Sequence, residues 1–165
     1  MVEAGPPAGF SEFVASASGY LTRTAFLLTG DPEAARDLVQ ETLTRTYAAW
    51  WRVRRPDALR YARRVLVNLH IDQYRRRTPE PAAWSDLPDH HDQYHRADDR
   101  DEARRLLAGL APQQRRIIVL RYFADLPEAE VAACLGISVG AVKSACSRGL
   151  ATLRRGIGET EEEPS

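Results

Sequence analysis

The chain reads as all-α: two small helical domains joined by a flexible linker, the second a helix-turn-helix domain. Three observations predict this. Apolar residues recur in steps of three and four, with almost no two-residue alternation. A stretch rich in proline and acid divides the helical segments. The run "GISVGAVKSACSRG", residues 136–149, has the pattern of the turn and second helix of a helix-turn-helix. At 165 residues the chain accommodates two small domains. The boundaries expected are a first domain over 10–77, a linker over 78–98, a second domain over 99–157 and an acidic disordered tail over 158–165.

The first helix is predicted by Phe10, Phe13, Val14, Ala17, Tyr20, Leu21, Ala25 and Leu28, with Ser11 as its N-cap and Gly30 as its stop. "DPEAARDLVQETLTRTYAAW" opens a second helix: Asp31 caps it, Pro32 takes the first helical position, and Leu38, Leu43, Tyr47 and Trp50 form the inward face. Pro56 disfavours helix at Arg55, so "WRVRRP" interrupts. A third helix follows with Asp57 as cap and Leu59, Ala62, Leu66, Leu69 and Tyr74 facing inward.

Pro79, Pro81 and Pro88 then mix with acids and with His90, His91 and His95. No cysteine or carboxylate pattern closes a metal site around these histidines, so a solvated loop is expected and neither metal nor cofactor. "DEARRLLAGL" predicts a short helix ending near Gly109. "APQQRRIIVLRYFADL" predicts another from Pro112, with Ile117, Leu120 and Tyr122 or Phe123 available to the core. Pro127 starts a helix through Leu135, Gly136 permits the sharp turn, Ile137 fills the gap and Ser138 caps a last helix toward Arg155. Val131, Ala132, Leu135, Val142 and Leu150 make the inward seam. Ser138, Val139, Gly140, Lys143, Ser144, Ser147 and Arg148 are left on the open face, where small residues allow close approach to a DNA groove and the cations meet base edges or phosphates.

Lys and Arg total 23 against 23 Asp and Glu, yet the charges are segregated. Residues 52–77 hold nine arginines against Asp57 and Asp72, residues 78–102 hold eight acids against Arg96 and Arg100, and residues 136–155 carry four cations and no acid. Two basic surfaces separated by acid suit a polyanion held at two places, while the weak net field argues against indiscriminate coating of DNA. With 44% hydrophobic residues, no membrane-length apolar run and no signal-like start, a soluble cytoplasmic protein without membrane insertion is expected. Cys134 and Cys146 sit among small apolar residues and read as buried reduced thiols. An enzyme is disfavoured, since there is no Gly-rich phosphate loop and no nucleophile-base set.

From Phe10 to Ile157 the chain resembles the extracytoplasmic-function sigma factors, the two-domain subunits that direct bacterial RNA polymerase to promoters; "RRVLVN" and "SRGLATLRR" most resemble an actinobacterial, sigma-E-like group. The resemblance implies that Asp37, Gln40 and Glu41, which share one helix face at i, i+3 and i+4, dock on the clamp coiled coil of the polymerase core's largest subunit. It also implies that the loop Trp51 to Asp57 captures a base flipped out at the minus-ten element, with Asn68 beside it. The minus-ten candidates are Trp51, Arg52, Arg54, Arg55, Arg60, Arg63, Arg64, Asn68, Arg75 and Arg76, those near Arg75 to Arg77 holding phosphates. Stacking on one unpaired base is worth roughly 1–3 kcal/mol, comparable with the cost of unstacking it, so a single captured base tips local melting. Whether Trp51 stacks on a base or packs in the core is left open. In the second domain the resemblance assigns the minus-thirty-five element to Ser138, Gly140, Lys143, Ser144, Ser147 and Arg148, and contact with the polymerase flap. Pro127, Ala141 and Ala145 depart from the usual family residues, leaving fewer polar groups toward the groove, so base preferences do not carry over. An anti-sigma factor is a further partner the family implies.

The alternative is a free-standing helix-turn-helix regulator whose first domain dimerises or senses a ligand. It predicts a self-complementary apolar patch on that domain and palindromic DNA sites, and the basic block would be out of place at such an interface.

Overall fold

The computed structural model describes residues 5–76 and 97–161. Among them all regular structure is helical, and the chain divides into two compact units, Met1–Glu80 and Pro81–Ser165. Arg77 and, up to residue 96, the predicted linker with its histidines lie outside the described residues; Ala97 and Asp98, expected in the linker, belong to the first helix of the second unit instead.

In the first unit, α1 (Phe10–Thr29) packs on α2 (Pro32–Ala49) and α3 (Ala58–Arg76), and α2 on α3. Ser11 is not the cap of α1: the cap lies two residues earlier, at Gly9 in the left-handed region at φ 81°, which puts Ser11 inside the first turn. The end is as expected, with Gly30 at φ 68° and its amide donating to the Phe26 carbonyl at 2.8 Å. The Asp31 carboxylate accepts from the amides of Glu33 and Ala34, a cap worth about 1 kcal/mol.

The inward face of α2 departs from expectation. Leu38 is buried, but Leu43 is only half-buried and Tyr47 is exposed; Thr42 and Thr46 take the core positions. The stripe steps by fours from Leu38, and burying hydroxyls is tolerated because Thr42 Oγ1 donates to the Leu38 carbonyl at 2.7 Å and Thr46 Oγ1 to that of Thr42 at 2.8 Å. Along α3, Ala62, Leu66 and Leu69 face inward as predicted, joined by Val67, His70 and Ile71. Leu59 and Tyr74 are exposed instead, at the two ends of α3 where its packed partners no longer cover it.

The second unit holds α4 (Ala97–Ala108), α5 (Pro112–Ile118), a π-helical turn (Val119–Phe123), α6 (Glu128–Leu135) and α7 (Val139–Glu161), the last running past Arg155 into residues 158–161, which were expected to be a disordered tail. Ile117 to Leu120 are four consecutive buried residues, and neither Tyr122 nor Phe123 enters the core, Tyr122 being 53% exposed. The π turn explains the outward aromatics. Its wider turn, marked by the Ala124 amide donating to the Val119 carbonyl at 2.9 Å, slips the helical phase, so Ala124 and Leu126 go inward in place of the aromatics. On α7, Val142, Ala145, Cys146 and Gly149 are buried at i, i+3, i+4 and i+7, while Leu150 is half-buried. A Cβ on Gly149 would stand 3.2 Å from Ile118 Cγ1, and one on Gly156 2.8 Å from Leu106 Cδ2, so these glycines let α5 and α4 press against α7. Cys134 and Cys146 are free thiols; Cys146 is buried, which pushes its pKa up, and Cys134 is half-buried rather than buried.

Candidate nucleic-acid interfaces

Between α2 and α3 the chain makes two 3-10 turns, Trp50–Arg52 and Arg55–Asp57, closed by the Val53 amide on the Trp50 carbonyl (3.2 Å) and the Asp57 amide on that of Arg54 (2.9 Å). The irregular backbone separates two adjacent tryptophans. Trp50 is 7% exposed, its ring 5.1 Å from Phe10 edge-to-face and 5.2 Å from Phe13, while Trp51 is 85% exposed. Core packing is thereby ruled out for Trp51, whose indole stands in solvent with Arg52 and Arg54 exposed beside it. Arg55 differs: its Nη2 donates to the Ala8 carbonyl at 3.1 Å. Arg60, Arg64, Asn68 and Arg75 follow along α3 in steps of four, four and seven, all exposed, and therefore share one ridge; Arg63 is half-buried and Arg76 exposed.

On α2, Asp37, Gln40 and Glu41 are exposed on one face, opposite Leu38 and Thr42 in the core. Glu41 Oε1 accepts from Arg45 Nε at 2.7 Å, an exposed i,i+4 ion pair. Arg45 was not among the residues expected at this face, though its spacing from Glu41 made the pairing readable.

In the second unit α6 and α7 meet at 107°, within the roughly 90–120° of a helix-turn-helix. Gly136 makes the turn at φ 66°, ψ 35°, a conformation costly for other residues, and the Ile137 amide donates to the Ala132 carbonyl at 3.1 Å. Pro127 occupies the cap position of α6 rather than its first turn. Ser138 Oγ accepts the Ala141 amide at 3.0 Å, capping α7 as expected. Ser138, Gly140, Lys143, Ser144, Ser147 and Arg148 are all exposed. Ala145 is not among them: it is buried, so its small side chain removes nothing from the groove-facing surface, whereas Ala141 is exposed and does. Lys143 Nζ lies 3.9 Å from Glu128 Oε2, a loose contact across the turn. Arg121, absent from the sequence reading, donates from Nη1 to the Leu126 carbonyl at 2.7 Å and so fixes the lead-in to α6.

Two small helical modules, one with a tryptophan-arginine loop and one with a helix-turn-helix, define a protein that engages DNA at two places. Comparison with known proteins agrees. Residues 13–80 match the family described as Sigma-70 region 2, and residues 100–153 match Sigma-70, region 4. The RNA polymerase sigma-E factor of Streptomyces avermitilis is 39% identical over 150 residues, 88% of this chain and 83% of that protein; the same factor of Streptomyces coelicolor is 39% identical over 88% and 84%. A sigma factor of Bartonella quintana, solved with the anti-sigma factor NepR, shares the fold with a TM-score of 0.64 at 24% identity, over 90% of this chain and 96% of that one. The chain belongs to the extracytoplasmic-function sigma factors of RNA polymerase, in the sigma-E-like group. It directs promoter-specific initiation of transcription, and the free-standing regulator is not favoured.

Proposed function

We propose a division of labour among the exposed residues. Asp37, Gln40 and Glu41 dock the chain on the clamp helices of core polymerase. Trp51, with Arg52, Arg54 and the ridge of Arg60, Arg64, Asn68 and Arg75, captures and holds the opened minus-ten strand. Ser138, Gly140, Lys143, Ser144, Ser147 and Arg148 read the minus-thirty-five element, and the second domain meets the flap. The observation carrying this reading is the opposite fate of the two tryptophans: a large apolar ring 85% exposed beside arginines is costly to hydrate and gains most by stacking on a base.

Neutral net charge is compatible with this role, because the polymerase supplies the electrostatic grip and holds both modules at promoter spacing, making the second contact effectively intramolecular. Run-off transcription with core polymerase and a genomic promoter library tests the reading: transcripts appear only with this chain added. The isolated chain binds promoter duplex weakly and loses that binding with salt; tight sequence-specific binding without polymerase contradicts the proposal.

An anti-sigma protein is the second partner proposed. A structural neighbour supports it: the Bartonella sigma factor was solved in complex with the anti-sigma factor NepR. The chain acts by binding alone, in the cytoplasm with the polymerase. Among the described residues no single helix is long and apolar enough to cross a membrane.

A further inference from the structure

The segment preceding α1 is tied to the tryptophan-arginine loop by a single carbonyl. Ala8 O accepts from Trp50 Nε1 at 3.1 Å and from Arg55 Nη2 at 3.1 Å, so one acceptor joins both flanks of the loop, 42 and 47 residues away in sequence. Gly9 makes this possible. Its φ of 81° turns the chain into α1, and a Cβ there would lie 2.8 Å from Arg55 Cζ, so the guanidinium rests directly on the glycine. Phe10, next in sequence, sets its ring edge-to-face on Trp50 and on Tyr47, at centroid distances of 5.1 and 5.0 Å. The Phe10 amide donates back to the Pro7 carbonyl at 3.0 Å, which closes the turn.

We infer that residues 7–10 are a strap that holds the loop open for strand capture, with Arg55 a positioning residue rather than a DNA contact. The inference rests on the proposal that Trp51 captures a base. A loop of two short 3-10 turns has little hydrogen bonding of its own, and Trp51, 85% exposed, has little buried surface to orient it. Trp50 and Arg55 bracket Trp51 to Arg54, so pinning both to one carbonyl limits the conformations of the four residues between them. Ordering them before the strand arrives removes an entropic cost from the opening step.

The test uses full-length chain in holoenzyme on a promoter carrying 2-aminopurine in the minus-ten element, so that strand opening is read by fluorescence. The variants are Arg55→Met, Trp50→Phe, removal of residues 1–8, and the combination of Arg55→Met with that removal. Arg55→Met slows opening about tenfold, the scale of one hydrogen bond's net contribution, and removal, which loses both bonds to the Ala8 carbonyl, slows it further. Trp50→Phe, which keeps an aromatic ring but loses the indole N–H, slows it less than removal. Capture by core polymerase and the salt dependence of duplex binding stay unchanged. The combination is no slower than removal alone, because both act through the same carbonyl. A direct phosphate contact by Arg55 predicts the opposite: the two effects add, and Arg55→Met lowers the salt slope by about one. Additivity, or wild-type opening after removal, overturns the strap. Trp51→Ala, run in parallel, separates the two ideas: if it leaves opening intact, base capture itself is wrong, whereas opening lost in Trp51→Ala and retained in the strap variants sinks only the strap. Thermal melting of each variant shows that the three-helix unit remains folded.

Discussion

The loop between α2 and α3 and the exposed face of α7, the two surfaces proposed to meet DNA, both present cations to solvent, yet they are built in opposite ways. The loop is irregular, carries one large ring in solvent and draws its shape from contacts distant in sequence. The α7 face is regular, lined by Ser138, Gly140, Ala141, Ser144 and Ser147, and its shape comes from a glycine turn and a serine cap within a few residues. The difference teaches which task each can do. A duplex is read by fitting a rigid, small-residue helix to a groove that is already there. An unpaired base must be met by an aromatic plane that the protein holds in place.

The largest expected effect concerns neither of the proposed DNA surfaces but the proposed docking face on which both would depend. Reversing Asp37 and Glu41 to lysine should weaken capture by core polymerase by at least about a hundredfold, since like charges facing each other cost several kcal/mol; retained capture in a pull-down would remove the basis of the proposed docking. Next come the tryptophans. Trp50→Ala should lower the stability of the first unit by about 3–5 kcal/mol in thermal or urea melting. Trp51→Ala should leave stability within about 0.5 kcal/mol and yet slow strand opening by roughly tenfold to a hundredfold. Equal melting losses would erase the contrast between them. In the second unit, Arg148→Ala should weaken holoenzyme binding by about 1–3 kcal/mol, and comparison across promoter variants tells whether the loss is confined to one base position or uniform. The smallest effect is expected from Ala141→Thr, which adds a hydroxyl to the exposed face: melting within about 0.5 kcal/mol, with a shift in minus-thirty-five preference seen by selection from a randomised library.

Much of the fold was legible in the sequence, and the legible part was local. Asp31 with Pro32, Gly30, Gly136 and Ser138 act where they were expected, because a cap or a left-handed turn depends on groups within four residues. The failures have local and distant causes. Ser11 lost the cap of α1 to Gly9, whose positive φ serves a contact with Arg55. Tyr122 and Phe123 were rolled outward by a π turn that a regular 3.6-residue period does not anticipate. Thr42 and Thr46 entered the core through hydroxyl bonds to the preceding turn, a possibility hidden when threonine is counted as polar.

At the candidate interfaces the residue types and spacing named the faces. The ridge on α3, the polar trio on α2 and the small-residue face of α7 all follow from helical periodicity, which places every fourth residue on one side whatever surrounds it. Identical or neighbouring residue types were told apart by packing. Trp50 is buried as the helical stripe predicted, but whether Trp51 joins it in the core, whether Ala145 meets the groove or the core, and whether Arg55 is free or bound to the Ala8 carbonyl depend on partners brought together by folding, tens of residues away for the loop. Such pairings leave no periodic trace in a single chain, since their energy lies in contacts between segments and not in the conformational preference of either one.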